Sequence, residues 1–154
     1  MRALIQRVSS ASVSIEGETI AEIEHGLVIF LGIEICDNEE HAEILAEKII
    51  QLRVFADENE KMNLSVLDIC GDILVVSQFT LYADCSKGRR PSFTAAAPPK
   101  QAEYLYNCFL ELLKIKGIQN IEKGRFAACM QVKLVNSGPV TILIDTEQLK
   151  RKGK

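Results

Sequence analysis

Apolar and polar residues alternate along the start of the chain, and this period of two predicts β-strands. Residues 2–15 and 18–24 have this pattern, and the Glu16-Gly17 pair between them is typical of a hairpin turn. Residues 27–33, with the sequence LVIFLGI, are apolar without interruption, which predicts a strand buried on both faces. The chain is therefore expected to begin with three strands.

The apolar spacing then becomes helical, and two amphipathic helices are predicted. The first lies within residues 37–52, where Asp37 and Glu40 have the spacing of a capping box. Its apolar stripe consists of Ala42, Leu45, Ile49 and Leu52. The second begins at Pro98-Pro99 and ends at Gly117. Its stripe consists of Ala102, Leu105, Phe109, Leu112 and Leu113.

The remaining segments complete an α/β order of ββ-βα-βα-ββ. Residues 53–70 are expected to be a polar loop with short extended pieces, and residues 72–84 a long strand. Residues 85–99 are rich in glycine, proline and small side chains, which is typical of an irregular functional loop. Residues 125–145 are predicted to form two strands around NSGP. We expect one domain, residues 1–154, with a twisted mixed sheet in barrel-like layers and two main helices on one face.

Composition narrows the functional classes. Hydrophobic residues make up 47 % of the chain, and no apolar run approaches the roughly 20 residues that cross a bilayer, so we expect a cytoplasmic protein without a membrane partner. The net charge of −3 argues against bulk nucleic-acid binding but leaves room for a local basic patch. Such patches are Lys87, Arg89 and Arg90, and the tail residues Lys150, Arg151, Lys152 and Lys154, which are expected to be a solvated end.

The cysteines and histidines indicate no metal or redox chemistry. The five cysteines are scattered and form no CxxC pair, so we expect reduced thiols, mostly in or near the core. His25 lies in a turn signal and His41 at a helix start, and neither suggests a catalytic base. No metal site and no cofactor are expected.

Two polar interruptions of apolar strands remain as candidate chemistry. In SQFT, a nucleophilic Ser77 or Thr80 would need a base, and the sequence offers none nearby, so ordinary β pairing explains these residues equally well. NSGP, residues 136–139, is the other interruption. Backbone amides that leave a β ladder at such places can donate to an oxyanion. Acyl-transfer chemistry without a catalytic triad is thus one open possibility.

Several motifs resemble the D-aminoacyl-tRNA deacylase family. They are SQFTL followed by KGRRPSF, NSGPVT after MQV, the opening MRALIQRVSSASV, and GLVIFLGI. The resemblance spans nearly the whole chain, and the pair SQFT and NSGPVT is its most specific part. Cys129 departs slightly from the pattern, because a small or aliphatic residue is expected before Met-Gln-Val.

The resemblance implies a metal-free hydrolase. It would cleave the ester that joins a D-amino acid, or misloaded glycine, to the terminal adenosine of tRNA, a step of chiral proofreading in translation quality control. Its partners would be the 3′-terminal adenosine and acceptor stem of aminoacyl-tRNA. The family forms homodimers with active sites at the subunit interface, so the same assembly is implied here.

The resemblance also gives roles to the Gly-Pro motif. The Gly138-Pro139 bond would be cis, although only about 5–6 % of X-Pro bonds in folded proteins are. Its loop would enter the partner's active site, where the carbonyls of Gly138 and Pro139 would hold the amino group and leave no room for an L side chain. Arg7, an odd residue in an apolar strand, would hold the loop in place.

The catalytic group implied by the resemblance is Ser77, Gln78, Phe79 and Thr80. With no base nearby, we favour backbone amides around Phe79 and Thr80 as the oxyanion site, with the ribose 2′-hydroxyl of the tRNA assisting water. Met130 and Phe79 would seat the terminal adenine, and the basic loop would meet acceptor-stem phosphates.

Two alternatives remain open. One is a related deacylase with a trans Gly-Pro bond and a different chirality. The other is a non-enzymatic RNA-binding module, which predicts interleaved basic and aromatic residues, whereas this chain has no Trp and only six Phe.

Overall fold

The long N-terminal strand organises the sheet. The computed structural model describes residues 1–150, without the side chain of Lys150. Its elements are β1 (Arg2–Ile15), β2 (Glu18–Ile23), β3 (Gly26–Gly32), α1 (Glu39–Ile50), β4 (Phe55–Ala56), β5 (Met62–Leu64), β6 (Asp72–Ser77), a 3₁₀ turn (Phe79–Tyr82), α2 (Pro99–Ile115), β7 (Ile121–Lys123), β8 (Gln131–Asp145) and α3 (Thr146–Lys150). β1 pairs antiparallel with β2, β3 and β8, whereas β3, β6 and β7 run parallel.

The pairing of β1 divides the sheet into two halves. Residues 2–8 of β1 pair with β3, residues 11–15 pair with β2, and β8 follows β1 from one end to the other. The register with β8 shifts near Val8, where the two halves meet. The mixed sheet therefore curls into the nearly closed, barrel-like arrangement that the element order predicted.

Both faces of the central strands are buried, as the uninterrupted apolar run of β3 predicted. Leu27 and Ile29 face the helices α1 and α2 in the larger core cluster, and Val28 faces a second cluster between the halves of the sheet. β6 repeats this alternation with Val75 on the helix side and Val76 on the other side. β6 thus lies between two packed layers, and its carboxyl end is held firmly.

Three local predictions were wrong. Asn38, not Asp37, caps α1, and its box partner is His41 rather than Glu40, because the Asp37 carboxylate binds the N-terminal ammonium instead. The predicted strand over residues 72–84 ends at Ser77 and becomes a 3₁₀ turn. Residues 131–145 form one strand rather than two, because β1 pairs with them on both sides of the Gly-Pro.

The cysteines also differ from the prediction. Four of them are exposed because they lie in loops: Cys36, Cys70, Cys85 and Cys129. Cys108 is half-buried, and all five thiols are free.

Among residues 1–150, no helix is both long and apolar enough to cross a bilayer. The side chains of the basic tail lie outside the described residues.

The N-terminal ammonium forms a buried ion pair and a hydrogen bond that tie the start of the chain to the loop before α1 and to the start of α3. It donates to Asp37 Oδ1 and to Thr146 Oγ1, each at 2.6 Å, and Asp37 Oδ2 accepts the amide of Glu34 at 2.6 Å. The side chain of Asp37 is 3 % exposed. Removing one partner of such a pair leaves a buried charge uncompensated, which is strongly destabilising.

We therefore expect Asp37→Ala, in a chain that begins at Met1, to lower the free energy of unfolding by about 3–5 kcal/mol. Urea denaturation with an unchanged m-value measures this. The matched control is Glu43→Ala, which removes an exposed carboxylate from α1 and should change stability by less than about 0.5 kcal/mol. Equal losses in the two variants would contradict the role of the ion pair.

Candidate active site

A cavity of about 580 Å³ opens where β6 ends. Its walls are the end of β6 and the following turn, the first turn of α2, and the segment that leads into β8. Residues that line it include Ser77, Gln78, Phe79, Pro99, Ala102, Phe126 and Met130. The lining is mainly apolar, with a few polar groups at the strand end, which is the usual character of a small-molecule site.

The 3₁₀ turn docks closely on β3. Gln78 N donates to Leu31 O at 2.8 Å, and Leu81 N donates back to Gln78 O at 3.2 Å. A Cβ at Gly32 would lie 3.0 Å from Leu81 Cβ and 3.1 Å from Gln78 O, so the glycine permits this close approach. The turn is thus fixed against the sheet at the mouth of the cavity.

Two backbone amides at the start of the turn are available to a ligand. In the part of the chain that the structure describes, Phe79 N and Thr80 N donate to no protein acceptor, as is normal in the first turn of a helix. The Thr80 side chain is exposed, and its hydroxyl accepts a hydrogen bond from Gln78 Nε2. Phe79 is 56 % exposed, with its ring edge-on to Phe93 at 5.1 Å.

Histidines and carboxylates are absent from the lining of this cavity, as far as residues 1–150 are concerned. His25 packs edge-on against Phe55, and His41 accepts a hydrogen bond from Asn38 N at the start of α1. The same described range contains no cluster of side chains suited to hold a metal ion. An acyl transfer here would rely on backbone donors and on groups that the substrate brings.

Arg7 holds the loop at Gly138-Pro139. Its Nε donates to Ser137 O and its Nη2 to Gly138 O, each at 3.1 Å, and Nη1 donates to Val54 O. The Gly138-Pro139 peptide bond is cis, and both residues are exposed. The fork of the guanidinium thus spans two consecutive carbonyls of the loop.

Within its own chain the loop has space around it. The nearest atom to a Cβ built on Gly138 belongs to the side-chain amide of Asn136, 3.9 Å away. When this amide is oriented by its hydrogen-bond network, its nitrogen donates to Arg7 O at 3.2 Å and Val140 O at 3.1 Å. Steric crowding within the chain therefore does not explain why residue 138 is a glycine.

The predicted site residues fall into two groups. Ser77, Gln78, Phe79 and Met130 line the cavity together, and Thr80 follows them in the same turn. Arg7, Gly138 and Pro139 form the second group and are not part of the cavity lining. Within residues 1–150 of a single chain, these two groups of residues do not share one site.

Arg2 and Tyr82 are positioning residues that the sequence did not reveal. The Arg2 guanidinium lies 4.5 Å from the centre of the Tyr82 ring, and its Nη1 donates to Leu81 O at 3.0 Å. Arg2 Nε also donates to Asp145 Oδ2 at 2.8 Å. Burial opposes ionisation of Asp145, but the hydrogen bond from Arg2 keeps the pKa of that carboxyl below its usual value. These contacts fasten the end of the 3₁₀ turn to β8.

Cys129 is a further lining residue that was noticed only as a departure from the family pattern. Its thiol is exposed, so a bulky maleimide should react with it and occlude the cavity. We expect alkylation to abolish the catalytic activity of this cavity, and Cys129→Ala to remain active after the same treatment. Cys85→Ala, which leaves Cys129 in place, is the matched control and should stay sensitive. Inactivation of the Cys129→Ala protein would contradict this prediction.

Comparisons with known proteins agree on one family. The family model of D-Tyr-tRNA(Tyr) deacylase matches residues 4–145. The D-aminoacyl-tRNA deacylase of Thermotoga petrophila is 56 % identical over 97 % of this chain and 99 % of its own length. That of Dictyoglomus turgidum is 56 % identical over 98 % of this chain and 96 % of its own.

Solved structures agree with the fold. The c-Myc DNA Unwinding Element Binding Protein is 45 % identical, covers 94 % of this chain and 98 % of its own, and superposes with a TM-score of 0.90. The structure of a "probable eukaryotic D-amino acid tRNA deacylase" shares the fold at 14 % identity, with a TM-score of 0.78 over 93 % of this chain and 97 % of its own. The chain belongs to the D-Tyr-tRNA(Tyr) deacylase family of hydrolases.

Proposed function

We propose that this protein hydrolyses the ester between a D-amino acid, or glycine, and the terminal adenosine of tRNA, in the cytoplasm. The observation that carries the proposal is the apolar cavity beside two available amides, those of Phe79 and Thr80, with no side-chain base among the described residues that line it. Such a site suits an ester whose own ribose contributes to the chemistry. The family relationship supplies the substrate class.

The amides of Phe79 and Thr80 would bind the oxyanion that forms when water attacks the ester carbonyl. Ser77 and Gln78 shape the strand end, and the 2′-hydroxyl of the terminal ribose would assist the attacking water. The adenine would lie between the exposed ring of Phe79 and the thioether of Met130. The protein thus supplies position and dipoles, and the substrate supplies the hydroxyl.

Chirality would be read by the Gly-Pro loop of a second protomer. The carbonyls of Gly138 and Pro139 would hold the substrate amino group so that an L side chain meets the loop, whereas a D side chain or a hydrogen points away. Arg7 supports this proposal because it binds the carbonyls of residues 137 and 138 and so fixes the direction of the loop. Rejection by a fixed wall gives steep discrimination.

A homodimer follows from the same proposal, because the loop needs a cavity and the cavity needs a loop. β8 carries the loop and pairs only with β1 among the described strands. Val135 and Leu143 on β8 are 58 % and 59 % exposed. Large apolar side chains on an edge strand are typical of a surface that a partner covers.

The test combines deacylation with sedimentation. D-tyrosyl-tRNA and L-tyrosyl-tRNA, prepared on the same tRNA, are incubated with the protein, and its mass is measured by analytical ultracentrifugation at micromolar concentration. We expect turnover of the D-ester only, by a dimer. A fully active monomer would contradict the shared site, and equal hydrolysis of both esters would contradict the chiral role of the loop.

The same assay addresses the alternative of a binding module without activity. The 45 % identical structural relative is named for binding a DNA element. Tight binding of tRNA with no turnover of any ester would favour that alternative. The net charge of −3 argues against it.

A further inference from the structure

We propose that a second, cationic cavity beside the first binds the phosphodiester backbone of the nucleotides that precede the terminal adenosine. This inference rests on the proposed function and extends it to a specific subsite. The second cavity measures about 280 Å³. Its lining includes Glu103, Asn107, Lys123 and Arg125.

The two cavities form one trough. Phe126 lines both of them. α2 forms one wall throughout, with Ala102 facing the first cavity and Asn107 facing the second, which are about 7.5 Å apart along the helix axis. Residues 123–130 form the opposite wall. A nucleic-acid strand that leaves the proposed adenine site along α2 would therefore reach the cationic end of the trough.

The walls of the trough are fixed to the strand that carries the candidate active site. Val75 O accepts Tyr106 Oη at 2.8 Å from α2 and Gly124 N at 3.0 Å from the opposite wall. A Cβ on Gly124 would lie 2.6 Å from Met130 Sδ, so the linings of the two cavities pack against each other at this glycine. Val75 lies two residues before Ser77, which keeps the cationic end in register with the proposed oxyanion site.

The charges suit an anionic strand. Lys123 and Arg125 are exposed and form no ion pair within residues 1–150, so both are available to a ligand. Two cations at the rim of a cleft attract phosphate, and guanidinium binds it through a fork of donors. The carboxylate of Glu103 on the facing helix is the one opposing charge in the lining. Removing this carboxylate should therefore change KM for the tRNA in the direction opposite to removing a cation.

The experiment compares D-tyrosyl-tRNA with 3′-O-(D-tyrosyl)adenosine, the same ester on a single nucleoside, which contains no phosphodiester. We expect the double variant Lys123→Ala/Arg125→Ala to raise KM for the tRNA while kcat stays the same, and to leave KM for the nucleoside ester as in the parent enzyme. Between 50 and 200 mM salt, the rise in KM for the tRNA should be about sevenfold smaller in the double variant, from a slope of about 0.7 per cation on single strands.

Two further variants sharpen the result. Glu103→Gln removes the opposing charge and should lower KM for the tRNA. Lys48→Ala removes an exposed cation from α1 and is the control, which should change KM for neither substrate. Each variant is checked by its thermal midpoint, and if the double variant fails to fold, Glu103→Gln and each single cation variant carry the test.

The outcomes separate this inference from the proposed function. Equal KM changes for both esters, or none for the tRNA, would overturn the phosphate subsite while deacylation stands. If neither ester is hydrolysed by the parent protein, the proposed function fails. Anisotropy with the labelled trinucleotide CCA then still tests the subsite, because Lys123 and Arg125 should be needed for its binding.

Discussion

Arg7→Ala is expected to lower the turnover of D-aminoacyl-tRNA by about 100-fold, the loss that a displacement of about 1 Å in a reacting group produces. The same variant should gain hydrolysis of L-aminoacyl-tRNA from near zero. Both effects have one origin, because Arg7 Nε and Nη2 bind the carbonyls of Ser137 and Gly138. Without these bonds the loop no longer points its carbonyls in one direction.

The conservative variant Arg7→Lys tests the geometry of the fork. An ammonium keeps the charge but cannot donate to two carbonyls and to Val54 O in one plane. We therefore expect Arg7→Lys to lose chiral discrimination almost as fully as Arg7→Ala. Arg53→Ala removes an exposed arginine side chain beside Val54 but leaves the bonds from Arg7 to the loop in place, and it is the matched control.

The measurement is deacylation of D- and L-charged forms of one tRNA, with the thermal midpoint of each variant recorded beside it. If a folded Arg7→Ala protein keeps both its D turnover and its rejection of the L-ester, the arginine only packs the strand. A loss of D turnover without a gain on the L-ester would leave Arg7 important for rate but not for chirality.

The strands and helices could be predicted because the spacing of apolar residues along the sequence differs between the two kinds of element. Where a prediction was wrong, a tertiary contact decided. Asp37 has the spacing of a helix cap, but its carboxylate binds the ammonium of Met1, and Asn38 takes the cap. Residues 72–84 were expected to form one long strand, with SQFT as a polar interruption of it. The space above Gly32 instead admits a 3₁₀ turn.

The candidate site could be predicted only in part. Ser77 and Phe79 are neighbours in sequence, and they do line one cavity. Arg7 and Gly138 are separated by 131 positions, and only the family resemblance suggested that they meet. Nothing in the local pattern indicated that Arg125, after β7, would lie near the cavity, because that contact depends on bonds to the carbonyl of Val75.

Replacing the terminal 2′-hydroxyl of the tRNA by hydrogen should slow cleavage by about 100- to 10,000-fold, the usual contribution of a positioned general acid or base. Binding should change little, because the adenine and phosphate contacts remain. The expectation follows from the cavity lining, in which the described residues include no histidine and no carboxylate. Single-turnover rates at saturating enzyme separate the chemical step from binding.

Thr80→Ala is the companion variant, since Thr80 carries the hydroxyl closest in sequence to the proposed oxyanion amides. If the main chain and the ribose perform the chemistry, the alanine variant keeps the amide and should retain most of its activity. Equal rates for the 2′-hydroxyl and 2′-deoxy substrates would remove the ribose from the mechanism. Complete loss in a folded Thr80→Ala protein that still binds tRNA would place the side-chain hydroxyl, rather than the amide, at the reacting carbonyl.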